Sequence, residues 1–279
     1  MKCLPWRCYG WHMTNKTLIS LAPGLEIAVI SLARHAARGA DMQRQAAALG
    51  LPLRLFTGFD AGAESEEALS ALVPPIGYAG PMPAKDRGCT ASHLLLLQSF
   101  LAGSASHLLV LEDDVLLEPA LLPWLEALNW WPSGADIVRL EAWGDPQRFH
   151  VVSRRGHTHL GRDLLRLYSM HPGTAAYLIT RASAERAVSW IGRMPVPIDH
   201  FLFNPGVSSF AAQANIWQVR PALIRQVLPA GDGIARVAEK RAGLDGLRDQ
   251  WRRGVQDLGG MPRSLGPMLV GQRRLVRPL

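Results

Sequence analysis

The sequence predicts an α/β domain on a mostly parallel central sheet, and three stretches carry that reading. Residues 108–111 (LLVL) form a short apolar run that meets three consecutive carboxylates, Glu112, Asp113 and Asp114. A continuous rather than alternating run is the mark of a strand covered on both faces. Residues 26–32 (EIAVISL) read as a β-branched strand, followed by an alanine-rich helical stretch over 36–49 and a second strand over 53–56. That strand–helix–strand unit is the building block of a parallel sheet. Residues 173–180 (GTAAYLIT) are a glycine-led strand that runs into an amphipathic helix over 181–191, opened by Ser183.

Composition bounds the function. The chain has 279 residues, 48% hydrophobic and 19% charged, which suits a folded chain with one large α/β domain or two small ones. Its formal charge of +7 admits nucleic acid, anionic phospholipid or phosphorylated substrates as partners. No Lys/Arg block is dense enough to single out nucleic acid, so none is expected. Three cysteines give neither a disulfide framework nor a zinc spacing, and a reducing, cytoplasmic setting fits them. No stretch reaches the roughly 18 apolar residues that span a bilayer. The nearest, 18–32, is interrupted by Pro23, Gly24 and Glu26. The first 13 residues lack the apolar core and small-residue cleavage site of a signal peptide.

In chain order, Arg34, His35 and Arg38 follow the first strand at once, and Gly50 stands as a helix stop. The two arginines either face a diphosphate or form the solvated start of a helix. Residues 60–86 are a variable connection with one short helix over 66–72. Gly88, Cys89, Thr90, Ala91, Ser92 and His93 then lead into a leucine run that ends at Gly103, which predicts a helix over 90–102. Small hydroxyl residues at a helix start leave N–H groups for a phosphate. The plain alternative makes Thr90 or Ser92 an N-cap and His93 a satisfied core histidine.

The acidic triplet falls at the carboxyl end of its strand, the edge where open α/β sheets bind ligands. Such a cluster is either solvated or gathered around a hard cation, Mg²⁺ or Mn²⁺. These acids abut an apolar strand, and residues 115–117 are apolar again. A helix over 119–128, a strand over 136–140 and then Glu141 follow. Residues 150–163, with Arg148 just before, are basic and histidine-rich, and read as a mobile loop over an anionic substrate; zinc spacing is missing. In residues 195–200 (PVPIDH), proline-fixed backbone either aims Asp199 and His200 into a site or makes Asp199 a first-turn acid of a helix. Residues 216–226 close the compact part with a strand and a proline turn. Residues 231–279 carry a net +5 of the chain's +7, with Leu244, Leu247, Trp251, Val255 and Leu258 at roughly helical spacing. This is either a basic amphipathic element for an anionic membrane surface or a solvated tail.

Taken in order, AVISLARHAAR (28–38), FTGFDA (56–61), DRGCTASH (86–93), LLVLEDDV (108–115), GTAAYLITRASAERAV (173–188) and PVPIDH (195–200) resemble glycosyltransferase family 25, the lipopolysaccharide galactosyltransferase type. The resemblance covers about residues 27–226; the pair GC-x-x-SH and LEDDV, in this order and at this distance, carries it. Ser31 departs from the family's usual Asn, and Arg87 from its usual apolar residue. The resemblance implies a GT-A-like, single Rossmann-related domain over 25–230, after an N-terminal extension over 1–24 and before a basic C-terminal helical tail over 231–279. It implies transfer of a hexose, galactose, from a UDP-sugar to a saccharide or lipid-linked saccharide acceptor with inversion. It also implies Mn²⁺ or Mg²⁺ on Asp113 and Asp114 with Glu112, and donor contacts from Ser31, Arg34, Gly88, Cys89, Ser92 and His93. Asp199 is then the base, with His200 and Glu141 as alternatives, and the enzyme is cytoplasmic, peripheral on the inner face of the plasma membrane. Two other classes compete. Acids on a strand end with basic loops also suit a metal-dependent phosphate-ester hydrolase or nucleotidyltransferase, and nine Trp could serve a non-catalytic glycan-binding module.

Overall fold

The computed structural model describes residues 19–77, 80–141, 150–193, 195–227 and 272–276. Strand β1 (Leu25–Ser31) leads through a 3₁₀ turn (Ala33–His35) into helix α1 (Ala36–Leu49), which ends at Gly50 with φ 69°. That left-handed cap is the reason a glycine stands there. β2 (Arg54–Thr57) returns parallel to β1, with Ala28 opposite Arg54, as the strand–helix–strand pattern predicts. Helix α2 (Glu66–Leu72) is capped by Ser65, whose side chain accepts from the Ala68 N–H. The short β3 (Ile76–Gly77) and β4 (Gly80–Pro81) pair with each other and precede α3 (Ala84–Ala102).

β5 (His107–Glu112) is the acid-bearing strand, followed by β6 (Val115–Leu116), a 3₁₀ turn (Pro119–Leu121) and α4 (Leu122–Glu126). Then come β7 (Ile137–Arg139), β8 (His150–Ser153), β9 (His157–His159), β10 (Arg162–Arg166) and β11 (Ala176–Thr180). Helices α5 (Arg181–Ile191), α6 (Ile198–Phe203) and α7 (Ser209–Gln213) lead to β12 (Ile216–Arg220), β13 (Arg225–Gln226) and β14 (Arg273–Val276).

Eight of these strands form one sheet in the order β2-β1-β5-β11-β7-β12-β10-β9. The pairings make six of them point one way, with β10 and β11 reversed, so the sheet is mostly parallel in strand direction, with antiparallel neighbours where those two strands insert. Both faces are covered. Leu109 and Leu111 of β5 enter a core shared with α1 and α4, while Leu108 and Val110 enter a core shared with α3, α5 and α6. This two-sided burial is why β5 reads as an unbroken apolar run.

Four local expectations need correction. The third helix starts at Ala84, not near Thr90, and Pro83 precedes it. Gly88 is inside it because a Cβ there would lie 2.9 Å from the Cβ of Ala61; the glycine marks a close approach of the loop, not a loop of its own. The helix expected over 119–128 is only a 3₁₀ turn and α4, because Ala127 is already extended. The mobile basic loop of 150–163 is instead the strands β8 and β9 and the start of β10, with Leu160 and Gly161 at positive φ in the hairpin turn. Helix α5 is opened by Thr180, which accepts from the Ser183 N–H, while the Ser183 hydroxyl donates to Asp136 at 2.6 Å.

Residues 1–18 of the expected N-terminal extension lie outside the described residues. So does the helical tail, except for residues 272–276, where β14 pairs antiparallel with β8 as a strand. Among the described residues no helix is long and apolar enough to cross a membrane.

Candidate active site at the carboxyl edge of the sheet

Strand β5 delivers its acids to the edge shared with the end of β1, the residues after β7 and the turn before β11. β5 ends at Glu112, and Asp113 and Asp114 lie in the turn that leads to β6, so the three acids part company. Asp113 lies with α1: Ser31 Oγ donates to its Oδ2 at 2.6 Å, and Arg38 Nη2 reaches its Oδ1 at 2.5 Å. The same Arg38 nitrogen is 3.0 Å from Asp114 Oδ2, which also accepts from Gln226 Nε2 at 3.0 Å. Asp114 Oδ1 is buried and has no hydrogen-bond partner. Burial, followed by the Glu112 charge, pushes the Asp114 carboxyl up to about 6, against the pull of Arg38.

Glu112 turns the other way, toward α3. Thr174 Oγ1 donates to its Oε1 at 2.6 Å, and His93 Nε2 is 3.7 Å from the same oxygen. Burial works to raise this carboxyl, but the nearby His93 ring and the Thr174 hydrogen bond outweigh it and hold it below the ordinary range. His93 is itself buried, with Nδ1 2.9 Å from the Tyr177 hydroxyl. Cys89 sits one helical turn before His93; burial, then the Glu112 and Asp199 charges, push its thiol well up.

A third group closes the edge. Arg139 and Glu141 are fully buried and paired at 3.0 Å. Arg139 also donates to the carbonyls of His171 at 2.6 Å and Pro172 at 3.0 Å, and lies 4.1 Å from the Phe203 ring. Glu141 Oε1 accepts from the Ala175 N–H at 2.7 Å, while Oε2 is buried without a partner. Burial raises Glu141 to about 7, tempered by Arg139. The pair therefore clamps the turn before β11. Asp199, in the first turn of α6, meets that turn from outside: its Oδ2 lies 3.4 Å from the Gly173 N–H, and its Oδ1 accepts from the His200 N–H at 2.8 Å. His200 Nδ1 contacts Asn204 at 3.1 Å.

The sequence-selected residues thus fall into groups. Ser31, Asp113 and Asp114 converge; Cys89, His93 and Glu112 converge; Asp199 and Glu141 address the same turn. Arg34 is tied to Asp60, which also accepts from the Gly62 N–H at 2.9 Å, so it organises the 58–62 loop. Ser92 donates to the Gly88 carbonyl at 2.8 Å and accepts from the Phe59 N–H at 2.8 Å, fastening that loop to α3. The expected helix-start anion site at Thr90 and Ser92 does not form, because both lie inside α3 and return their hydroxyls to carbonyls four residues back. Sequence reading missed Arg38 as the cation on the acids, although it stands in the first turn of α1, just past the 3₁₀ turn that holds Arg34. Thr174, Tyr177 and Gln226 carry no sequence signal of their own; strand pairing places Tyr177 and Gln226, and Thr174 lies in the turn just before β11.

For a hard divalent cation, the orphaned, buried Asp114 Oδ1 beside Asp113 is a fitting oxygen donor set.

Known proteins resemble this chain in consistent ways. The family model described as Glycosyltransferase family 25 (LPS biosynthesis protein) matches residues 25–202. The lacto-N-neotetraose biosynthesis glycosyltransferase LgtB of Neisseria meningitidis serogroup A / serotype 4A is 29% identical over 211 residues, covering 72% of this chain and 74% of its own. LgtE of Neisseria gonorrhoeae, described in the same words, is 28% identical over 253 residues, covering 85% and 88%. The lipooligosaccharide biosynthesis protein lex-1 of Haemophilus influenzae is 26% identical over 173 residues, covering 56% of each chain.

Proposed function

The chain belongs to glycosyltransferase family 25, and from that premise we propose that it transfers a hexose, galactose, from a UDP-sugar to a saccharide of lipooligosaccharide with inversion at the anomeric carbon. One observation carries the reading: a buried, partnerless carboxylate oxygen on Asp114, beside Asp113 and Arg38, at the ligand-binding edge of the sheet. The names of the relatives, which speak of lacto-N-neotetraose and lipooligosaccharide biosynthesis, support the acceptor class.

Asp113 and Asp114 would hold Mn²⁺ or Mg²⁺, which when bound offsets charge on the leaving diphosphate. Ser31 holds Asp113 in place through its 2.6 Å hydrogen bond. Arg38 keeps the two acids together and adds a positive charge on the same side. Asp199 takes the proton from the acceptor hydroxyl as that oxygen attacks the anomeric carbon. The bond from that carbon to the diphosphate oxygen breaks, its electron pair leaves with UDP, and the new glycosidic bond forms on the opposite face. Glu141 is a weaker choice of base than Asp199, because it is only 1% exposed and committed to Arg139 and Ala175. It positions the turn that Asp199 meets.

The test is incubation with a panel of UDP-sugars, Mn²⁺ and truncated lipooligosaccharide, following UDP release and acceptor mass. Transfer adds one hexose to the acceptor. Phosphate release without a mass gain would replace this reading with a phosphate-ester hydrolase, and neither change would leave a glycan-binding module.

A further inference from the structure

Cys89 and His93 stand four residues apart on α3 and so share one face of the helix, and the end of β5 brings Glu112 against that face. One sulfur, one imidazole nitrogen and one carboxylate oxygen from these residues all lie within 4.8 Å of one another. We propose that they form a second cation site, for a zinc-class divalent ion, distinct from the Asp113–Asp114 pair.

The donor set decides the class of metal. Mg²⁺ and Ca²⁺ take oxygen ligands, whereas a thiolate, an imidazole and a carboxylate suit Zn²⁺ or Co²⁺. Three protein ligands are the number found in zinc sites that keep a position for water or substrate. The surroundings are those of a built site. The Tyr177 hydroxyl fixes the His93 ring through Nδ1 at 2.9 Å, which turns Nε2 toward Glu112. Thr174 fixes the Glu112 carboxylate at 2.6 Å. Histidine ligands are commonly oriented through their second nitrogen in this way. The two acids on the other side are engaged elsewhere, by Ser31, Arg38 and Gln226, so the two sites share no ligand. The sequence hides this site because its spacing is Cys-x₃-His plus a carboxylate from a distant strand, not a paired-cysteine motif.

The proposal stands apart from the transferase reading, since binding is measured without donor or acceptor. The full chain, stripped with chelator, is titrated with Co²⁺ and then with Zn²⁺ while the absorption spectrum is recorded. Expected is a thiolate-to-cobalt charge-transfer band in the near ultraviolet with visible bands of tetrahedral cobalt, saturating at one equivalent and erased by Zn²⁺. The charge-transfer band is lost in Cys89→Ser, persists in the Cys3→Ala/Cys8→Ala variant, and shifts to about tenfold weaker affinity in Tyr177→Phe. Circular dichroism identifies variants that fail to fold, and Cys89→Ala serves as a second removal of the sulfur. Cobalt binding without the thiolate band, no binding at all, or a band that survives loss of Cys89 each overturns the proposal.

Discussion

Gly88→Ala sets two effects of known size against each other. An alanine in the interior of a helix gains about 1 kcal/mol over glycine in propensity. The new Cβ would lie 2.9 Å from the Cβ of Ala61 and 3.4 Å from both the Ala61 nitrogen and the Phe59 carbonyl oxygen. Non-bonded carbons rest at about 3.5–4.0 Å, so the 58–62 loop must retreat by roughly 0.6 Å or more. Ala61 has no flexible end to give way, and the Ser92 bond to the Phe59 N–H resists the movement. Overpacking of this kind costs about 1–3 kcal/mol. The cost outweighs the propensity gain, for a net loss of about 1 kcal/mol, or about 2–4 °C in Tm for a domain of this size. Thermal melts of purified Gly88→Ala test this, together with the compensating double variant Gly88→Ala/Ala61→Gly. The double variant should regain most of the loss, because it removes the opposing Cβ. A Gly88→Ala protein as stable as the parent, or a double variant no better than the single, would refute the close-approach argument.

Other expectations follow from the same geometry. Asp199→Asn should lower the transfer rate by orders of magnitude and leave UDP–Mn²⁺ affinity intact in calorimetry, as loss of a transition-state interaction requires; loss of UDP–Mn²⁺ binding would make Asp199 a ligand and pass the role of base to Glu141. For Asp114 in chelator, the raised carboxyl favours the neutral acid in the fold, so its stability contribution is present at low pH and is lost as pH rises through about 6. Asp114→Asn should therefore gain stability relative to the parent across that window, in denaturant melts at several pH values, while transfer is abolished; a flat difference would contradict the assignment. The net +5 of residues 231–279 should give weak, salt-sensitive binding to anionic vesicles. Equal pelleting at low and high salt would remove the basic tail as the anchor.

Strands and helices with a one-dimensional signature were legible in the sequence. The β1–α1–β2 unit with its Gly50 stop, α2 over 66–72 and the apolar run of β5 all read directly from pattern. What failed was local and had physical causes. A glycine inside α3 looked like a loop because the Ala61 contact that demands it lies 27 positions away in sequence. A histidine-rich stretch looked mobile because the edge pairing of β9 with β10 and of β8 with β14 has no hydrophobic alternation. At the site, the acids and Asp199 were visible as residue types. Their division into an Arg38-bridged pair and a His93-facing glutamate was not, since it depends on the turn that takes Asp113 and Asp114 away from the end of β5 at Glu112. The Arg139–Glu141 clamp was half visible, as Glu141 alone, because a fully buried arginine in the short run DIVRL looks like any other strand-end charge.

The most direct test of the central claim is the stereochemistry of the product. UDP-galactose, whose sugar is α-linked, is supplied as donor with truncated lipooligosaccharide and Mn²⁺, and proton NMR follows its anomeric signal. A single attack assisted by Asp199 from the face opposite UDP predicts a new anomeric proton with the large coupling of a β-linked galactose on the acceptor. An α-linked product, or loss of the donor signal with only free galactose or phosphate formed, would contradict it.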